Sequence, residues 1–272
     1  MGNCLITKLK GSCQNNDLLK IGELKVLVDT EGKNYIIKLT ATDCKLVVSE
    51  GITVKSTTNS EVLSGTEFNA GTYTLNGKGT LSISNKYTID TFSFAAPQNK
   101  VFDYSKSDFD SLKYSKSLKN IVVTSDSFLF SLDSLTDINI KDVNISSKNL
   151  VGELSGLISK DGIVNIAITS DYVTGSVDMS KSAKSLNYLY SSNNTFTWET
   201  ERNSDSFIIT LPYSYMGNYI DAMLINQAKC KASTESTKKI NVQGTRTSAS
   251  DAAIQTLQSK GYTVSVPAAT DN

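Results

Sequence analysis

The sequence predicts a mainly β protein with some α: an N-terminal antiparallel β sandwich or barrel domain, then an irregular repeat solenoid closed by a C-terminal strand-helix-strand cap. Three observations predict it. Apolar residues alternate with a period of two from Leu18 to about Phe94, an imperfect apolar repeat runs from Leu118 to Trp198, and helical spacing is concentrated after Asn218. The expected division is a docking arm over 1–17, a β domain over 18–97 and a repeat domain over 98–272, with "AAPQNK" around Pro97 as the boundary.

In the β domain, "ELKVLVD" puts Leu24, Val26 and Val28 on one face, and "NYIIKLTA" does the same with Tyr35, Ile37, Leu39 and Ala41. "DTEGK" between them carries turn chemistry at Asp29 and Gly32. "KLVVS", "ITVKS", "GTYTLNG", "GTLSIS" and "IDTFSF" read as further strands, with turns expected at Glu50-Gly51 and Asn76-Gly77. Short strands at this spacing point to a compact antiparallel domain.

Beyond the boundary four segments fit one frame, L-x-x-L-x-L-x-x-N-x-L, starting at Leu118, Leu135, Ile163 and Leu186. They carry Ile121 and Val123, Ile138 and Ile140, Ile166 and Ile168, and Leu189; Ser191 breaks the sixth position of the last. The starts lie 17, 28 and 23 residues apart, irregular but near the period of about 20 to 29 of leucine-rich repeats. One such unit cannot bury its apolar residues alone, so neighbours must stack. Asp126, Asp171 and Asn194 at the ninth position are expected to bond backbone in the turn.

Near the end, "NYIDAMLINQAKC" has helical spacing at Ile220, Met223, Leu224 and Gln227. In "TSASDAAIQTLQSKGYTVSV", Ser248 or Ser250 is expected to cap a helix, with Ile254 and Leu257 inward and Gly261 ending it. Tyr262, Val264 and Val266 then form a strand, and "KINVQG" before it completes the cap.

Composition removes many functions. There is no histidine, which excludes Ser-His-Asp and Cys-His nucleophile systems and imidazole-bound zinc. Lys+Arg and Asp+Glu are 27 each, and Arg202 and Arg246 are the only arginines, so no field or set of bidentate donors points to nucleic acid. Phosphate-cradling glycine loops are absent, and no run of about 18 apolar residues predicts a membrane-inserted helix. Cys4, Cys13, Cys44 and Cys230 form no C-x-x-C pair; they read as reduced thiols, with a Cys4–Cys13 disulfide left open.

Paired acids, Asp108 with Asp110 and Glu199 with Glu201, are read as solvated faces rather than catalytic carboxylates. "DYSKSDFDS" lacks the mid-loop Gly and closing Glu of a calcium loop and is read as a helix start capped by Ser105 and Asp108. Trp198 is read as core, and Tyr with Ser, Thr and Asn as a generic contact surface or as sheet filling. No catalytic residue, cofactor or metal ligand is assigned, and no enzyme activity is expected.

The opening "MGNCLITKLKGSC" puts Gly2 and Cys4 where acylation would need them, but Ile6 stands where that signal wants Ser or Thr, and Thr7 is one place late. No apolar core of about 7 to 15 residues makes a secretion signal. As an extended arm it has Leu5, Thr7 and Leu9 on one side and Ile6, Lys8 and Lys10 on the other, suited to a sheet edge on another subunit or on its own domain.

"MGNCLITKLKG" followed by "GELKVLV", and at the other end "DAMLINQAKC" and "GTRTSASDAAIQTLQSKGYTVSV", resemble the ends of leucine-rich-repeat-like chains from crAss-like and related phages of gut Bacteroidales. Members occur among virion structural proteins, head fibres and tail-associated components included. The resemblance implies a non-enzymatic virion protein, assembled in the bacterial host cytoplasm, with capsid or other virion proteins as partners. On it the arm of Gly2, Asn3, Cys4, Leu5, Ile6, Thr7, Lys8, Leu9 and Lys10 becomes the partner-docking segment. A capsid-decorating head fibre is the first expectation: a homo-oligomer, dimer or trimer, displaying its C-terminal domain toward a host surface or glycan. A tail-associated protein and a bacterial leucine-rich-repeat binding module or adhesin are the alternatives.

Overall fold

A computed structural model of the chain describes residues 24–29, 33–41, 43–84, 86–95, 109–125, 130–183, 185–186, 188–197, 208–211, 218–229, 238–242 and 244–268. The protein is mainly β with a few helices, and it divides into two compact units, Met1–Leu118 and Lys119–Asn272. Strand pairing is antiparallel within the first unit and parallel within the second.

In the first unit the strands are β1 (Leu24–Asp29), β2 (Tyr35–Ala41), β3 (Lys45–Val48), β4 (Ile52–Ser56), β5 (Glu67–Asn69), β6 (Thr72–Ser84) and β7 (Ile89–Ala95). The period-two pattern holds where it is strongest: along β2, Tyr35, Ile37 and Leu39 are buried while Ile36, Lys38 and Thr40 are exposed. Tyr35 meets Phe94 of β7 edge to face at 5.8 Å between ring centroids. Leu46, Leu75, Leu81, Ile83 and Phe92 fill the rest of this core.

The two expected strands "GTYTLNG" and "GTLSIS" are one. Thirteen-residue β6 runs through Asn76-Gly77 without turning back, and it organises the unit. Its first half pairs with β2 and β4, its second with β1 and β3. Gly77 takes φ +119° between the halves, and a Cβ there would lie 2.0 Å from the Gly51 carbonyl oxygen. The glycine marks a close approach of two backbones inside a strand, not a hairpin. Gly51, at φ +95°, does occupy the expected turn.

The second unit is a ladder. Strands β8 (Asn120–Thr124), β10 (Asp142–Ser146), β12 (Asn165–Thr169), β14 (Tyr188–Ser191), β16 (Ile208–Leu211), β17 (Lys239–Val242) and β18 (Thr263–Ser265) pair side by side in chain order, all parallel. Shorter parallel pairs join β9 (Phe130–Ser131) to β11 (Leu150–Val151) and β13 (Gly175–Asp178) to β15 (Asn194–Thr197). Helices α1 (Leu154–Ile158), α2 (Asn218–Lys229) and α3 (Asp251–Ser259), with 3-10 turns at Leu132–Leu135, Met179–Lys181 and Ser248–Ser250, lie between successive ladder strands.

Register makes the core columnar. Ile121, Val143, Ile166, Leu189 and Ile240 belong to one column, and all are at most 1% exposed. Ile140, Ile163 and Leu186, just before their strands, are equally buried. The first four ladder strands therefore start 22, 23 and 23 residues apart, which corrects the expected phase of the second repeat. That repeat begins at Ile140, not Leu135. Leu135 closes a 3-10 turn, and Ile138 is buried in the turn that follows; apolar residues are so dense here that the frame fits equally well five residues early.

Lysines tie one repeat to the next. Lys160 Nζ donates to the Thr136 carbonyl at 2.6 Å and Lys260 Nζ to the Ala228 carbonyl at 2.6 Å, each at the end of a helical turn in the preceding repeat. Gly152, at φ +98°, brings the chain against the cap of the preceding turn, where a Cβ would lie 2.9 Å from the Leu132 amide nitrogen.

At the C-terminal cap, α2 buries Ile220, Met223, Leu224 and Gln227 as its spacing requires. Helix α3 buries Ala253 and Leu257, leaves Ile254 half-buried and ends at Gly261, φ +86°, whose amide bonds the Gln258 carbonyl. Ser250, one of the two expected serines, takes the N-cap position of α3 but makes no side-chain cap bond; Thr247 caps the 3-10 turn ahead of it, its Oγ1 accepting from the Ala249 amide at 3.2 Å. Ser250 is buried and donates instead to Asp221 Oδ1 at 2.6 Å.

Candidate functional site

Every second residue of a ladder strand points away from its core, and these residues form a continuous, partly exposed face. Its first column is Asn120, Asp142, Asn165 and Tyr188; its second is Val122, Asn144, Ala167 and Tyr190. Asn165 Nδ2 donates to Asp142 Oδ1, which fixes amide and carboxylate side by side. Val122 is 38% exposed, and the two tyrosines are half-buried.

Ala167 stands between Asn144 and Tyr190, so a small side chain leaves a step beside an aromatic one. Two phenols, three amides and one carboxylate on one sheet can donate, accept and stack. Among the described residues of this face no nucleophile stands beside a base.

The strand ends carry a feature the sequence reading missed. Ser125, Ser147 and Ser170 stand at equivalent positions, all buried. Ser147 and Ser170 hydroxyls accept from the amides two residues on, Asn149 at 3.2 Å and Tyr172 at 3.2 Å, and Ser170 Oγ also donates to the Leu150 carbonyl at 2.8 Å. These serines perform the turn role expected of the next position, where Asp171 is exposed. Among the described ninth-position residues Asn194 does bond backbone, but across to the preceding repeat, its Nδ2 donating to the Gly175 carbonyl at 3.3 Å. The dipeptides Thr124-Ser125, Ser146-Ser147 and Thr169-Ser170, 22 and 23 residues apart, were the signal.

Asp221 is a second missed group. Only 5% exposed, its carboxylate accepts from the Thr247 amide and hydroxyl and the Ser250 hydroxyl, joining α2 to the start of α3. This is a structural hub.

Of the residues singled out from sequence, the arm Gly2 to Lys10, Cys4, Cys13, Cys230, Ser105, Asp108, Asp126, Trp198, Glu199 and Glu201 lie outside the described residues. Cys44 is buried and unpaired, and desolvation pushes its thiol up from 9.0 to about 11, the direction of an unreactive sulfhydryl. Among the described residues no three His, Cys, Asp or Glu side chains converge as metal ligands, and no helix is long and apolar enough to cross a membrane.

Comparison with known proteins adds no relative: no family model, no curated protein and no solved structure matches the chain.

Proposed function

We propose that this chain is a structural protein of a phage particle, a capsid-decorating head fibre that attaches through its N-terminal region and displays its C-terminal domain outward. The displayed domain is read as a leucine-rich-repeat-like solenoid and the first unit as an antiparallel sandwich or barrel. The observation that carries the reading is the in-register ladder with its 22- to 23-residue repeat and its polar, tyrosine-bearing outer face. Stacked repeats make a stiff surface whose natural work is presentation and contact. The resemblance of both chain ends to virion proteins of Bacteroidales phages supplies the setting.

In this account the fibre is a dimer or trimer, and the outer ladder face meets a host-surface or glycan ligand with Tyr188, Tyr190 and the Asp142–Asn165 pair. The same face equally suits a bacterial leucine-rich-repeat adhesin. Attachment separates the two. Full-length chain mixed with fibre-less particles is expected to co-sediment with them, and chain lacking residues 2–10 is expected to stay in the supernatant. Equal co-sedimentation of both would overturn the role of the arm, and failure of both would favour the adhesin.

A further inference from the structure

The side of the second unit that carries α1 and the short strands holds a recess of about 320 Å³, at the lower end of the roughly 300–1,000 Å³ of small-molecule sites. It arises from the repeats themselves. One repeat places helix α1 at this position and the next places strand β13 and a 3-10 turn, so the wall steps from helix to strand and the gap stays open.

We propose that this recess binds a single unit of a neutral saccharide. Its wall presents the hydroxyl-bearing side chains Ser155 from α1, Ser159 just after it, Ser176 from β13 and Thr197 from β15, with Ile158 as an apolar patch. Ser155, Ser159 and Thr197 already donate to Glu153 Oε2, to the Ser155 and Gly156 carbonyls and to the Val177 carbonyl, so they offer oxygen acceptors to the hydroxyl protons of a sugar, Ser176 can also donate, and Ile158 suits a C–H face.

The charges cancel. Asp178 and Lys181 meet at 3.2 Å, so neither an anion nor a cation is selected, and a phosphate would face the carboxylate. Asp178 is also held in place: its side chain is 10% exposed, and Oδ1 accepts from the Ser180 amide at 3.0 Å and the Ser180 hydroxyl at 2.6 Å. Its Oδ2 is buried and faces Lys181, so Oδ1 is the oriented acceptor this carboxylate would offer a sugar hydroxyl. Among the described residues no aromatic ring lines the recess. The inference stands apart from the virion assignment, since an adhesin would carry the same recess.

Saturation-transfer NMR on the full chain with glucose, galactose, mannose and N-acetylglucosamine tests it. At least one is expected to show transfer with a Kd on the order of 1 mM. Ser176→Leu, at an exposed strand position, fills the recess and is expected to abolish the transfer with the circular dichroism spectrum unchanged. Asp178→Asn, which keeps a capping side chain, is expected to weaken it about tenfold, the loss of a charge-assisted bond. No transfer from any of the four sugars, or transfer that persists in Ser176→Leu, would overturn the proposal. Displacement of the sugar by free serine, a zwitterion, would overturn the neutral assignment.

Discussion

Ser191 occupies the column in which the three preceding repeats carry Val123, Ile145 and Ile168. From sequence it breaks the frame. In the fold it is fully buried and donates to Asn194 Oδ1 at 2.6 Å, while Asn194 in turn donates onward to Gly175. A buried hydroxyl is tolerated because its partner sits three residues later in the same repeat. Gln227 is the opposite case: 1% exposed, with neither amide atom partnered among the described residues. Such a group costs about 1–3 kcal/mol, so Gln227→Met is expected to raise stability by about 1 kcal/mol in urea unfolding, and a loss would show that the amide is satisfied. Cys44 gives a pH test. Its folded-state thiol is raised from 9.0 to about 11, so the unfolded state loses its proton first and stability contributed by the neutral thiol falls between those values as pH rises. Native protein at pH 8 is expected to leave Cys44 unalkylated until denaturant is added, and rapid labelling without denaturant would contradict its burial.

Among the elements, what could be read in advance follows from how local the signal is. Helices α2 and α3 and strand β2 carry their period within one segment, and their buried faces match it. Strand β6 does not: whether Asn76-Gly77 turns or continues depends on a carbonyl from Gly51, 26 positions away, which no window of the sequence contains. The phase of the second repeat failed for a related reason. Leu135, Ile138 and Ile140 satisfy the frame as well as Ile140, Val143 and Ile145 do, and only pairing with neighbouring strands decides between them. The outer face was legible only as a general abundance of Tyr, Ser and Asn; the alignment of Asp142 with Asn165, and of Ala167 with Tyr190, needed the register. Gly77→Ala is expected to destabilise the first unit by more than the roughly 1–3 kcal/mol of left-handed strain alone, since its Cβ would also meet backbone. Gly65→Ala, at φ +102° with open space around it, is the control that carries strain only. Equal losses for the two in urea unfolding would refute the close approach.

The whole molecule is one antiparallel unit and one parallel ladder. The ladder offers a rigid surface, the resemblance of the chain ends offers a particle to mount it on, and the arm Gly2 to Lys10 is the proposed joint between them. The most direct measurement is quantitative mass spectrometry of gradient-purified phage particles from the source. A capsid-decorating fibre predicts this chain at tens to hundreds of copies per particle, fixed in ratio to the major capsid protein. Its absence from particles, with abundance in the cell fraction alone, would contradict the virion assignment.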